Sequence, residues 1–469
     1  MSRSKDEAAG LDMPDPKRAE QFEFVRCGYD AGRGCAELAY RFDDGPELVE
    51  QICFPGAPRL PAGARAKAFR RALELLHLVA GVSYYKAGFS PRMHLRDPAA
   101  TAGLGDFLQT LYVEGLGEFG YVNELDVATR VRFPRDAGAG VRPKPPLGLR
   151  ERALVAMGGG KDSLVGLDLV RRAGVESVAA CVGGSELIAR TAEVAGLPLL
   201  RIERRLAPGL AAMNRAGAWN GHVPVTAINS AILLCAAILY DFRFVVFSNE
   251  RSANEATLVD AAGDPVNHQY SKSSAFERAL REVVAAKLAP DLDYFSILRP
   301  FSELGVLQRF SGMKAFHEVF SSCNRNFHQD GPRVEGRWCR NCPKCRFAAL
   351  GLAVFLTPEQ LVAIQGVDLL DDPGQVEGFR ALCALGRDKP FECVGEAGES
   401  RAALAALSRS ERWRGHAVVR ALAPLLDRFA VPDLDELLAP SHHHFIPAPI
   451  ARALALPPYR DGSTTDEPG

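Results

Sequence analysis

The sequence lacks any uninterrupted apolar run long enough to span a bilayer, which excludes a helical membrane protein. It also lacks an excess of either charge: 56 Lys and Arg stand against 57 Asp and Glu, a net charge of −1. No basic field or stripe therefore points to nucleic acid. The first residues, Met1 to Gln21, are polar and carry no signal-peptide core, so a cytoplasmic location is expected. There is no internal repeat. Nor is there a framework of paired cysteines: the 11 are odd in number and scattered, apart from one C-terminal cluster. What is present is ordinary globular composition, 47% hydrophobic and 24% charged, in 469 residues. That length suffices for two or three domains with a sizeable core.

The chain is organised around Ala153-Leu154-Val155-Ala156-Met157-Gly158-Gly159-Gly160-Lys161-Asp162-Ser163. The pattern predicts a short apolar strand, a glycine turn and a helix start. Such a turn lets backbone N–H groups and a helix N-terminus approach phosphate oxygens. A Walker A loop would need Gly at 155 and Ser or Thr at 162, where Val155 and Asp162 stand. The dinucleotide fingerprint needs Gly or Ala at Ser163 and an acid near Val182-Gly183-Gly184, so it fits poorly. The pyrophosphatase-type loop Ser-Gly-Gly-x-Asp-Ser, used by enzymes that split ATP into AMP and pyrophosphate, matches with one departure: Gly158 replaces its first serine. Gly158, Gly159, Gly160, Lys161, Asp162 and Ser163 are thus the expected pyrophosphate cradle, with Asp162 on Mg²⁺.

Around this loop the chain divides as follows. Residues 1–20 are expected to be disordered. Residues 21–133 form an N-terminal α+β domain: three alternating stretches (Phe22 to Cys27, Cys35 to Phe42, Glu47 to Phe54) predict a β-meander, and a helix follows from about Ala66 to Val79. The Pro- and Gly-rich run 134–148 reads as a linker. Over 149–350, strands at 152–157, 177–182, 198–203, 243–248 and 294–298 alternate with helices at 162–173, 185–195, 223–240, 273–288 and 303–310. That grammar means an α/β fold with a parallel sheet covered on both faces. Residues 351–446 read as a helical C-terminal region, with helices at 358–365, 375–385, 399–407 and 409–429, and 447–469 as a frayed tail.

Ligands of such sheets bind beyond the carboxyl ends of the strands, which draws in Ser248 to Asn254 and Val266 to Ser273. Within them His268 and Lys272 are the first acid and base candidates and Glu250 the third, with Tyr270 and Cys323 behind. Cys339, Cys342 and Cys345, with Cys323 sixteen residues upstream, supply four soft ligands for a closed, structural Zn²⁺ site, with redox chemistry or an iron–sulfur cluster as the competing reading. Arg337, Arg340, Lys344 and Arg346 crowd that cluster and face either an anionic substrate or solvent. His442-His443-His444 lies among Pro and Ser without a partner motif and reads as a loop.

Taken together, Phe42 to Leu48, Leu76 to Lys86, Met157 to Ser163, Pro224 to Ser230, Ser248 to Asn254, Val266 to Ser273 and Trp338 to Cys345 resemble one family. It is that of the ATP-dependent UDP-N-acetylmuramoyl-L-alanyl-L-glutamate epimerases of peptidoglycan synthesis. The resemblance implies a PP-loop (HUP-like) core and use of ATP and Mg²⁺. AMP and pyrophosphate would leave, and the terminal L-Glu of a UDP-MurNAc-dipeptide would become D-Glu. The small-molecule substrate is the implied partner; oligomeric state is not legible. Removing an α-proton beside a free carboxylate would create a doubly charged enolate, and adenylation removes that charge first. The rival readings are a PP-loop ligase or nucleobase-modifying enzyme resembling 7-cyano-7-deazaguanine synthase, and a non-enzymatic nucleotide sensor. The N-terminal meander and the helical C-terminal region do not suit the former.

Overall fold

Among the described residues nine strands join in one sheet, and its order runs from a parallel half into an antiparallel half. The structure is a computed structural model that describes residues 15–59, 62–97, 103–134, 143–184, 186–254, 258–259, 265–266, 269–323, 325, 336–386 and 394–460. In chain order the strands are β1 (Gln21–Asp30), β2 (Cys35–Phe42), β3 (Leu48–Cys53), β4 (Arg92–Leu95), β5 (Arg152–Ala156), β6 (Glu176–Val182), β7 (Leu199–Arg205), β8 (Phe244–Phe247), β9 (Leu258–Val259), β10 (Pro265–Val266) and β11 (Asp293–Ser296). The large sheet is ordered β11-β8-β5-β6-β7-β3-β2-β1-β4, and β9 with β10 forms a separate small ribbon. β11, β8, β5, β6 and β7 are mutually parallel. β3 then pairs antiparallel with β7, so the meander extends the same sheet across the expected linker.

Strand alternation explains the two cores. Leu154 and Val245 point to one face, where Phe22, Tyr40 and Leu76 also pack. Ala153, Val155 and Val246 point to the other, against Leu164, Phe295 and Phe347. β8, Phe244-Val245-Val246-Phe247, is buried throughout, as a central parallel strand covered on both faces must be. The first face carries the helices Ala64–Ala80 and Val225–Tyr240. The second carries Lys161–Arg172, Glu303–Ser311 and the C-terminal helices.

Several expectations are corrected. The stretch 273–288 is an α-helix only over Ser274–Val283 and continues as a π-turn over Val284–Leu288. The single helix expected over 409–429 is broken: Ser410 is extended, a short helix covers Ala417–Leu422, and a 3₁₀ segment with Pro424 in its first turn covers Ala423–Arg428. The frayed tail does not begin at 447. Ala448–Ala453 is a helix with Ile450 and Ala451 buried, because its apolar side chains reach the second core. The three histidines pin that segment, His442 to the Pro458 carbonyl (3.0 Å), His443 to that of Arg460 (3.2 Å) and His444 to that of Pro457 (2.8 Å). The register also sets Cys35 opposite Cys53, and the two are joined as a disulfide, a pairing not read from the sequence.

Candidate active site

β5 ends at Ala156, and the chain turns through Gly158, Gly159 and Gly160 into the helix Lys161–Arg172. Gly159 has a φ of +76°, and a Cβ there would lie 3.2 Å from Ile188, so only glycine fits without strain. Nothing lies within 4 Å of a Cβ added at Gly158, so the departure from serine removes a hydroxyl and has no steric cause. Gly160 caps the helix without a side-chain hydrogen bond, which leaves the first-turn N–H groups uncapped. Ser163 Oγ donates to the Gly160 carbonyl at 3.0 Å and holds the turn.

This loop lines a cavity of about 370 Å³ together with the ends of β5, β6 and β8. Lys161 is buried, with Nζ 2.6 Å from Asp162 Oδ1 and 2.6 Å from Glu303 Oε2. Burial alone would depress its pKa, but the two carboxylates overcome this and hold the ammonium above its ordinary range. Glu303 opens the helix Glu303–Ser311. Burial pushes its carboxyl up to about 8; Lys161 opposes this, while Asp162 and Glu250 add to it. Glu250 is raised as well, chiefly by burial, against hydrogen bonds from Ser252 N and Oγ, both 2.5 Å. Behind them the buried Glu399 accepts from Glu303 N at 3.0 Å. Burial and mutual repulsion together hold Glu250, Glu303 and Glu399 above the ordinary carboxylate range.

Of the sequence candidates, Glu250 and Lys272 line this cavity with the whole glycine loop except Gly159. Lys272 ends a 3₁₀ turn over Tyr270–Lys272, with Nζ 3.4 Å from Gln269 Oε1. His268 lies outside the described residues. Tyr270 is buried against the Phe276 ring rather than lining the cavity, and burial pushes its hydroxyl up to about 12. Of the four basic residues near the cysteines, three are spent on structure. Arg337 donates to the His317 carbonyl (2.8 Å), Arg340 to that of Gln365 (3.0 Å), and Arg346 to Gln375 Oε1 (2.8 Å). Lys344 alone lines the cavity.

The cysteine cluster lies beside this region: none of the four cysteines lines the cavity, but their neighbours Ser321, Ser322 and Lys344 do. The sulfurs of Cys323, Cys339, Cys342 and Cys345 all lie within 4.8 Å of one another. Cys339 and Cys345 are 3.8 Å apart and Cys342 and Cys345 3.4 Å. A tetrahedron with Zn–S bonds of about 2.3 Å has edges of roughly 3.8 Å, so the donor set fits that ion. The Cys342 and Cys345 thiols stabilise negative charge on Cys323, whose pKa is lowered. Sequence reasoning missed Glu303 and Glu399. The available signal for Glu303 was an acid at a helix start just beyond the carboxyl end of a parallel strand.

Two family descriptions match this chain: the MurL N-terminal domain over residues 13–297 and the MurL C-terminal domain over 319–436. The chain belongs to the MurL family. A Xanthomonas oryzae pv. oryzae protein named UDP-N-acetyl-alpha-D-muramoyl-L-alanyl-L-glutamate epimerase is 48% identical, over 92% of this chain and 96% of that relative. Proteins of the same name from a Micromonospora species and from Salinispora tropica are each 39% identical, over 94% and 87% of this chain and 98% and 89% of their own. In this MurL-family chain both matched parts reach the cavity. The first supplies Lys161, Glu250 and Lys272, the second Lys344, and Glu303 lies in the interval between them.

Proposed function

We propose that this chain is an ATP-dependent epimerase that inverts the terminal L-Glu of UDP-MurNAc-L-Ala-L-Glu in peptidoglycan precursor synthesis, acting in the cytoplasm. The observation that carries the mechanism is the uncapped glycine loop opening into a cavity that, among the described residues, holds Lys161, Lys272 and Lys344 with Asp162, Glu250 and Glu303. In our reading a substrate carboxylate oxygen attacks the α-phosphorus of ATP. The bond from that phosphorus to the bridging oxygen breaks, and the electron pair leaves on pyrophosphate, received by Gly158 to Ser163. Mg²⁺ held by Asp162 would neutralise phosphate charge. The resulting anhydride carries no carboxylate charge, so its α-proton can pass to a side-chain base. Glu250, Lys272 and His268 are the candidates, one accepting that proton and another returning one to the opposite face. Lys161 and Lys344 supply positive charge for phosphate or enolate oxygens. Water then cleaves the mixed anhydride and frees AMP. The four cysteines would hold a structural Zn²⁺ that fixes the wall bearing Lys344.

The test is mass spectrometry of UDP-MurNAc-L-Ala-L-Glu incubated with the protein and Mg²⁺ in D₂O. The expected result is uptake of one deuterium at the Glu α-carbon only when ATP is present, with AMP formed. AMP formation without uptake would move the reading to a PP-loop ligase. Tight ATP binding with neither product would favour a nucleotide sensor.

A further inference from the structure

One guanidinium joins the two loops that carry Glu250 and Lys272. Arg299 follows β11 and is 1% exposed. Its Nε donates to Glu277 Oε2 at 3.0 Å, its Nη1 to the Glu250 carbonyl at 2.8 Å and its Nη2 to the Lys272 carbonyl at 2.6 Å. Glu277, itself 2% exposed, accepts from Ser296 N at 2.8 Å with its other oxygen. Ser296 Oγ closes the network: it accepts from Asn249 N at 2.6 Å and donates to the Asn249 carbonyl at 2.7 Å. Neither Arg299 nor Glu277 lines the cavity.

A buried ion pair is a weak source of stability, because desolvation cancels most of the attraction and apolar replacements of similar volume often cost nothing. What this pair does that apolar side chains cannot is grip two backbone carbonyls from one rigid planar fork. One belongs to Glu250 and the other to Lys272. We propose that Arg299, oriented by Glu277, is a positioning residue that fixes the two proton-transfer loops relative to each other. The proposal rests on the reading of Glu250 and Lys272 given above. A misplacement near 1 Å at such groups costs on the order of 10²-fold in rate. Nucleotide contacts at the glycine loop come from a different strand end and would be spared.

The test compares two readouts, deuterium uptake at the Glu α-carbon and substrate-dependent ATP–pyrophosphate exchange. Wild-type uptake, measured first, separates failure of the reaction reading from failure of this one. Arg299→Lys keeps the charge but loses the fork. The double variant Glu277→Leu with Arg299→Met removes the pair and keeps the volume. Both are expected to lose uptake by on the order of 10²-fold while exchange stays within about threefold. Ser296→Ala, which cuts only the tie to Asn249, serves where a charge variant does not fold, with an expected loss of about tenfold. Wild-type uptake in any of these folded variants, or equal loss of uptake and exchange, would overturn the proposal.

Discussion

In the parallel half of the sheet, β5, β8 and β11 send their carboxyl ends to one edge, and the segments that follow them bring Lys161 and Asp162, Glu250, and Glu303 around one cavity. In the antiparallel half, hairpins send alternate turns to opposite edges. There the buried Glu50 pairs with Arg204, and three buried tyrosines close on the main chain. Tyr40 donates to the His77 carbonyl at 2.9 Å, Tyr112 to that of Leu78 at 2.6 Å, and Tyr84 accepts from Ala207 N at 3.0 Å. Around them Phe22, Phe24, Phe42 and Tyr85 pack as one aromatic cluster. The same sheet thus holds two kinds of interior. Strand direction decides which is which, because only parallel strands collect their uncapped loop and helix N–H groups on one side. Substitutions at the parallel edge should therefore strike activity and leave folding intact, and changes in the antiparallel half should do the reverse.

The strongest challenge to that division is Asp162→Ala. The side chain is 39% exposed, so its removal should shift the melting temperature little. AMP formation should fall by about 10³-fold or more, the cost of removing a charge from a preorganised phosphate site. If unfolding and activity loss went together, the comparison would fail. A second test falls on the cysteine cluster, which belongs to the parallel half yet is read as structural. Cys345→Ser, or prolonged chelation of the wild-type protein, should release bound zinc and lower stability by roughly 3 kcal/mol. Metal analysis that found no zinc in protein purified without chelator would remove the metal from the account.

The sequence made the glycine loop legible because strand, turn and helix signals agree there. It made Cys339, Cys342 and Cys345 legible because Cys-x-x-Cys spacing survives any uncertainty about the fold, while Cys323, sixteen residues upstream, has no such spacing and is joined to them by the fold. The β-meander could be read from its alternation, but its pairing with β7 could not. Register partners such as Ile52 and Arg204 lie far apart in the chain, and nothing local in either stretch marks them. Glu303 and Arg299 stayed hidden for a related reason. A lone acid or arginine reads as a surface charge until its neighbours are known, and burial is what sets these two apart from ordinary surface charges. Tyr270 misled in the opposite sense, since its place beside Lys272 suggested chemistry and its ring went to the core.

The gentlest test bears on the antiparallel half alone. His77 is buried beneath β2, with Nε2 donating to the Ala39 carbonyl at 3.0 Å. Burial lowers its pKa from 6.5 to about 4; the bond to Ala39 opposes this in part, and Arg26 adds to it. A histidine depressed in the folded state is neutral there, while the unfolded chain takes up a proton first as pH falls. Its contribution to stability is therefore complete above pH 6.5 and drains away as the pH drops through about 4. The full shift corresponds to about 2 kcal/mol once relaxation of the site is allowed for. Urea unfolding followed from pH 7 down to pH 4 should show that loss. His77→Gln, which keeps a donor for Ala39 and cannot titrate, should flatten this part of the curve. Proton exchange at the substrate, measured where both proteins remain folded, should be the same in the two. A change in exchange with the histidine variant would mean that the aromatic half reaches into the chemistry, and the division by strand direction would have to be given up.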